Sequence, residues 1–170
     1  IYARNDGKGL MKIDGDSIYV MPDGERFAST GVFDMLPIVS KDTNKPDRIL
    51  VTTNYNGLFI HDGKKFTPFK TEIDSFLTKH QIYNACILSN GNIALATTRG
   101  GVAIIDIAGK LVQILDQNNV LSTNVAYDVF PDKQGGLWIA LNEGIVFCEV
   151  NSPLSIMPAE GLIRSQINSV

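Results

Sequence analysis

Gly101-Val102-Ala103-Ile104-Ile105-Asp106 is one of four segments that line up on a single glycine. The others are Gly9-Leu10-Met11-Lys12-Ile13-Asp14, Gly57-Leu58-Phe59-Ile60-His61-Asp62 and Gly144-Ile145-Val146-Phe147-Cys148-Glu149. Each has an apolar residue after the glycine and an acidic residue five positions beyond it. The glycines at 9, 57, 101 and 144 recur at intervals of 48, 44 and 43 residues. An apolar run precedes the last three: Ile49 to Thr53, Ile93 to Thr98 and Leu137 to Leu141. One step earlier lie Val32 to Val39, Ile82 to Leu88 and Val125 to Phe130. A fourth run follows each glycine segment, around Ile18 to Val20, Phe66 to Phe69, Leu111 to Leu115 and Leu154 to Met157.

These runs are short, rich in β-branched and aromatic residues and separated by turn residues, so they read as strands. Asp14-Gly15, Asp62-Gly63 and Ala108-Gly109 divide the third run from the fourth. Asn90-Gly91 and Gly135-Gly136 divide the first from the second. Gly, Asn and Asp accept the positive φ of tight hairpins, so each unit is an antiparallel four-stranded meander, A to D. Glu72 to His80 is the best helical stretch, and it is short.

Four strands repeated every 40 to 50 residues predict an all-β fold, a β-propeller. Strand B of the last full unit carries Leu137, Ile139 and Leu141 on one face and Trp138 and Ala140 on the other. A sheet with one wet face would alternate apolar with polar. A blade is covered on both faces. The expected organisation is strands B to D over 1–24, full blades over 25–70, 71–116 and 117–160, and strand A of a further blade over 161–170. That makes sixteen strands, or about four blades, read as an arc of a larger ring whose bare ends favour a homodimer.

Composition bounds the function. Of 170 residues 44% are hydrophobic and 19% charged, which excludes disorder. Net charge −3 argues against nucleic acid or an anionic lipid surface as a partner. No run of eighteen apolar residues exists, so membrane contact is expected only through other parts of a longer chain, of which this one is expected to be a piece. Cys86 and Cys148 read as small buried apolar side chains.

The stretch from Val120 to Ile145 resembles the two-component regulator propeller repeat. In that family a Leu-Ser/Pro-x-Asn-x-Val opening leads to D-x-x-G-x-L-W-I-G-T-x-x-G. Leu121, Asn124, Asp132, Gly135, Leu137, Trp138, Ile139 and Gly144 match, while Ala140 and Leu141 replace the usual Gly and Thr. Weaker copies run from Leu77 to Gly101 and from Leu162 to Val170. The resemblance implies a periplasmic sensor region of a Bacteroides-type hybrid two-component system. Such a region binds an oligosaccharide and relays the event to a histidine kinase outside this chain.

No catalytic constellation competes with that reading. His61 and His80 fall in no metal-ligating spacing, and His61, in place of an apolar residue at the end of strand C, reads as structural. No nucleophile elbow exists, and Arg99-Gly100-Gly101 lies between strands rather than before a helix. Asp14-Gly15-Asp16 reads as a turn rather than a calcium loop. No metal, cofactor or catalytic residue is expected. The alternative is a propeller hydrolase or lyase acting on polysaccharide, or a secreted carbohydrate-binding propeller. Ligand contacts are expected on the B-to-C turns, from Asn54, Tyr55, Arg99, Asn142 and Glu143, with Asp116 to Asn119 nearby on a D-to-A connection. Turn geometry explains those residue types equally well.

Overall fold

The computed structural model describes residues 1–38 and 48–150. The strands expected over Leu154 to Met157 and Ile167 to Val170 lie outside the described residues. Fourteen strands are described, in four antiparallel meanders. The first sheet holds β1 (Tyr2–Asn5), β2 (Gly9–Asp14) and β3 (Ser17–Val20). The second holds β4 (Val32–Ile38), β5 (Arg48–Thr53), β6 (Leu58–His61) and β7 (Phe66–Phe69). The third holds β8 (Ile82–Ile87), β9 (Ile93–Thr97), β10 (Val102–Ile105) and β11 (Leu111–Leu115). The fourth holds β12 (Ala126–Pro131), β13 (Leu137–Leu141) and β14 (Gly144–Cys148). Every pairing joins neighbours in sequence.

The turn chemistry explains the pattern of the repeat. Gly9, Gly57, Gly101 and Gly144 all have positive φ, between 73° and 114°. At Gly101 a Cβ would lie 2.1 Å from the Leu115 carbonyl oxygen, so only glycine fits. In the second and third sheets the acidic residue five positions on folds the C-to-D turn. Asp62 Oδ1 accepts the N–H groups of Lys64 and Lys65, and Asp106 Oδ1 those of Ala108 and Lys110. Those N–H groups hold the Asp62 carboxyl below the usual aspartate range.

Three cores lie between the four sheets, in chain order. Leu10, Met21 and Phe27 pack on Val51, Phe59 and Phe66. Leu50 and Leu58 pack with Ile93, Leu95, Ala103 and Ile105. Cys86, Ala94, Ala96, Val102 and Ile104 meet Val129, Leu137, Ile139 and Leu141. The sheets therefore stack face to face, an arrangement consistent with an arc of propeller blades. Phe27, Leu77 and Leu121, each five residues before the first residue of β4, β8 or β12, are all buried and pin the connections between sheets. Phe27 sits in a 3-10 turn (Gly24–Phe27) that the sequence pattern does not announce. Leu77 sits in α1 (Asp74–His80), within the stretch expected to be helical.

Cys86 and Cys148 are free and buried, as expected of small apolar side chains. Burial pushes the Cys86 thiol up to about 12, with Asp128 and Asp34 adding to it, and the Cys148 thiol up to about 11. No described helix is long and apolar enough to cross a membrane.

Candidate functional site

The first strands of the second, third and fourth sheets are edge strands, and β8 lies against both β4 and β12. Each begins with a β-bulge. The register slips between Val32 and Met35, between Ile82 and Asn84, and between Ala126 and Asp128. A bulge sets two residues against one on the partner strand and re-aims their side chains. The bulged residues repeat an aromatic–Asx pair: Phe33-Asp34, Tyr83-Asn84 and Tyr127-Asp128.

The three rings form a row across the sheets. The Phe33 and Tyr83 centroids are 5.2 Å apart and tilted by 33°, and Tyr83 and Tyr127 meet edge to face at 5.5 Å. Each of the three residues is 44% exposed, so one side of the row is open to solvent. Beside Phe33 a cavity of about 310 Å³ is lined by Tyr2, Ala3, Arg4, Leu10, Val32 and Met35.

The Asx residues clasp one sheet to the next. Asn84 Oδ1 accepts the Val129 N–H at 3.0 Å, and the Asp34 carboxylate accepts the Ala85 N–H in the same relation one sheet earlier. Thr52 Oγ1 accepts the Asp34 N–H at 3.0 Å and donates to Asp34 Oδ2 at 3.3 Å. Burial raises the Asp34 carboxyl to about 6; Thr52 and Ala85 offset part of the rise, and the Asp128 charge adds to it. Among the described residues Asp128 Oδ1 accepts a local bond alone, from Val129 N–H at 2.8 Å. No sheet in the described residues follows it.

The expected ligand residues lie at the same end of the sheets. Asn54 and Tyr55 stand in the three-residue turn 54–56, Arg99 in the turn 98–100, and Asn142 and Glu143 form a two-residue turn. The N–H groups of Asn54, Thr98 and Asn142 donate to Gly31, Gln81 and Val125, just before the three bulged strands, at 3.1, 3.1 and 3.2 Å. Tyr55, Arg99, Asn142 and Glu143 are exposed. Among the described residues no hydrogen bond or ion pair joins these five to one another.

Some turn residues are occupied structurally. Thr53 and Thr97 clasp their turns through Oγ1, donating to the Gly57 and Gly101 carbonyls at 2.7 and 2.9 Å. Leu141, standing where the repeat prefers Thr, cannot do this, and its turn is one residue shorter. On the D-to-A connection, Asp116 and Asn119 are tied to each other, Asp116 also holds Asn118, and Gln117 holds Ser122 and Asn124. These bonds favour the turn reading there. Among the described residues no group of three or more His, Cys, Asp or Glu could hold a metal ion.

The aromatic–Asx pairs were missed in sequence although they recur at one position of strand A in three units. Their exposure depends on the bulge, and strict alternation places no bulge.

Comparison with solved structures places this architecture. The chain matches the extracellular domain of a protein described as a hybrid two-component system, BT3049 of B. thetaiotaomicron, at 20% identity and TM-score 0.66, over 86% of this chain and 19% of that one. It has the fold of part of that domain. A second match is the extracellular domain of BT4673 of the same organism, also described as a hybrid two-component system, at 18% identity and TM-score 0.59, over 91% of this chain and 20% of that one. The chain thus spans about one fifth of the length of either domain. No family model and no curated protein matches it.

Proposed function

We propose that this chain is an extracytoplasmic, periplasmic sensor segment of a membrane-bound two-component regulator, an arc of a larger propeller that binds an oligosaccharide without catalysis. A histidine kinase elsewhere in the parent protein receives the signal, and the bare end sheets pair with further blades or with a second copy. The observation that carries the ligand reading is the row Phe33–Tyr83–Tyr127, open on one side at the edge where three sheets converge. Sugar rings present C–H faces that stack on such aromatics, while planar amide, carboxylate and guanidinium groups bind hydroxyls. Asn54, Tyr55, Arg99, Asn142 and Glu143, at the same end, supply those groups. The shared fold with two-component extracellular domains supports the signalling role. Signalling then requires that the ligand bind one arrangement of the sheets more tightly than another.

The test is calorimetric titration of the chain with a panel of neutral oligosaccharides. Tyr83→Ala and Tyr127→Ala are each expected to weaken binding of a hit about tenfold, with Tyr55→Ala and Arg99→Ala giving smaller losses. Unchanged affinity in all four variants overturns the site. The raised carboxyl of Asp34 beside Asp128 is the one feature that favours the hydrolase alternative. Release of reducing ends from a bound oligosaccharide, abolished by Asp34→Asn, would establish it in place of the sensor reading.

A further inference from the structure

The interface between the first two sheets departs from the repeat at two facing positions. Lys12 occupies the place held by Ile60 and Ile104 in the next two sheets, and His61 the place of Ile105. Lys12 pairs across the first sheet with Tyr2 on one side and Tyr19 on the other, so Tyr2–Lys12 faces the second sheet where its neighbours present Leu50–Ile60 and Ala94–Ile104. The sheets do not close there. A cavity of about 540 Å³ remains, lined by these three residues of the first sheet, by Arg48 and His61, and by Met21, Pro22, Met35, Pro37 and Ile49.

His61 is 4% exposed, and its Nε2 is buried without a hydrogen-bond partner. Its Nδ1 accepts the Gly63 N–H at 3.3 Å, which leaves the proton of the neutral ring on Nε2. Burial keeps the His61 pKa below the usual histidine value and outweighs the charges of Asp62 and Asp23 and the Pro22 carbonyl, which favour the protonated ring. The ring is fixed against Phe66, centroids 4.2 Å apart. The Pro22 carbonyl acts on the ring without making a full hydrogen bond to Nε2, and a buried N–H left so weakly satisfied costs free energy unless a better acceptor is supplied.

The titratable side chains of the lining are all able to donate: Tyr2, Lys12, Tyr19, Arg48 and the His61 Nε2–H. Among the described residues no carboxylate lines the cavity. Of the described acids nearby, Asp14 is engaged with Lys12 at 3.4 Å, Asp23 with Arg26 and the Phe66 N–H, and Asp62 with its own turn. Lys12 lines the cavity, and Tyr19 and Asp14 raise its pKa and so hold it protonated.

We propose that this cleft is a binding site for a small organic anion, a carboxylate carried on a ring. The carboxylate accepts from His61 Nε2–H and is balanced by Lys12 and Arg48, and the ring lies among the tyrosines, prolines and Met35. A cavity of a few hundred cubic ångströms lined by apolar side chains and a few convergent polar groups is typical of a small-ligand site. The proposal is independent of the aromatic row, which lies on the converging edge strands.

The experiment uses the 170-residue chain labelled with 15N at its two histidines. Long-range 1H–15N spectra follow both rings as sodium glucuronate, glucose or sodium sulfate is added. Glucuronate is expected to move the His61 Nε2 signal saturably and leave His80 in place; glucose is expected to move neither, and sulfate to bind at least tenfold more weakly than glucuronate. Lys12→Met and Arg48→Gln should each weaken glucuronate about tenfold. Followed by calorimetry, His61→Gln, which keeps a donor near Nε2, should retain most of the affinity that His61→Ile loses. No saturable shift up to 100-fold excess, equal shifts with glucose, sulfate binding as tightly as glucuronate, or variants that bind like the parent each overturn the assignment. Both histidine variants are checked for an unchanged far-UV spectrum, and Lys12→Met alone decides if His61→Ile does not fold.

Discussion

Strands β9 and β13 occupy the same place in successive sheets and differ in what covers them. In β9, Ile93 to Thr97 are all fully buried: one face lies on the second sheet and the other on the fourth. In β13, Leu137, Ile139 and Leu141 are buried against the third sheet, while Trp138 on the other face is 40% exposed. The bare face is no less apolar for being bare. Phe130, Trp138 and Phe147 lie in one cross-strand row, and Ile145, 70% exposed, stands where the second and third sheets bury Leu58 and Val102. Solvent-facing sheets in stable proteins alternate with polar residues. This face is composed like an interior, and among the described residues Asp128, the last Asx of the inter-sheet clasp, has no following sheet to hold.

Truncating the two strands should expose the difference most strongly. Leu95→Ala leaves a cavity between two packed sheets and is expected to cost about 3–4 kcal/mol in urea unfolding. Trp138→Ala removes a larger side chain but should cost less than Leu95→Ala in this chain, about 1–2 kcal/mol, because Trp138 is 40% exposed and packs outward only on its strand neighbours such as Phe147. Equal losses would mean that the face is covered in solution. The glycines give a second, smaller contrast. Gly101→Ala combines a forbidden φ with a clash against the Leu115 carbonyl, for a loss of about 3 kcal/mol or more. Gly144→Ala meets nothing within 4 Å and should cost only the backbone strain, about 1–2 kcal/mol. A loss at Gly144 as large as that at Gly101 would place a neighbour over the open face.

The smallest expected effect compares Asp34 with Asn84, its counterpart in the next sheet. The folded-state pKa of Asp34 is raised, to about 6. Its ionisation therefore opposes folding, a penalty absent below the unfolded value near 4 and complete above about pH 6. Asp34→Asn, which can still accept the Ala85 N–H as Asn84 accepts that of Val129, should raise stability by about 1 kcal/mol at pH 8, a figure reduced from the full shift because the residue is only partly buried. The gain should vanish near pH 4. A loss of stability at pH 8 would show that the carboxylate charge itself holds the clasp.

Much of the fold was legible in the sequence, for local reasons. The four glycines, and Asp62 and Asp106 five residues after two of them, act within single turns, so their spacing carries the meanders directly. The candidate sites were less legible. The aromatic row needs a bulge, a feature of pairing between strands, to bring Phe33, Tyr83 and Tyr127 out together. His61 was noticed as an apolar position gone polar, and its reading as structural rested on the residue alone. Its orphaned Nε2 and the cavity beside it exist only because Lys12, 49 positions earlier, breaks the repeat on the facing sheet.

The sequence by itself determined a period, four strands to a unit and the turns between them, because hydrophobic alternation and positive-φ glycines act over a few residues. It also marked both faces of the strands as interior. Only the tertiary structure decided which faces are covered and which stand open, and which polar side chains meet across an interface. Those outcomes depend on how whole sheets stack, and no local spacing records that.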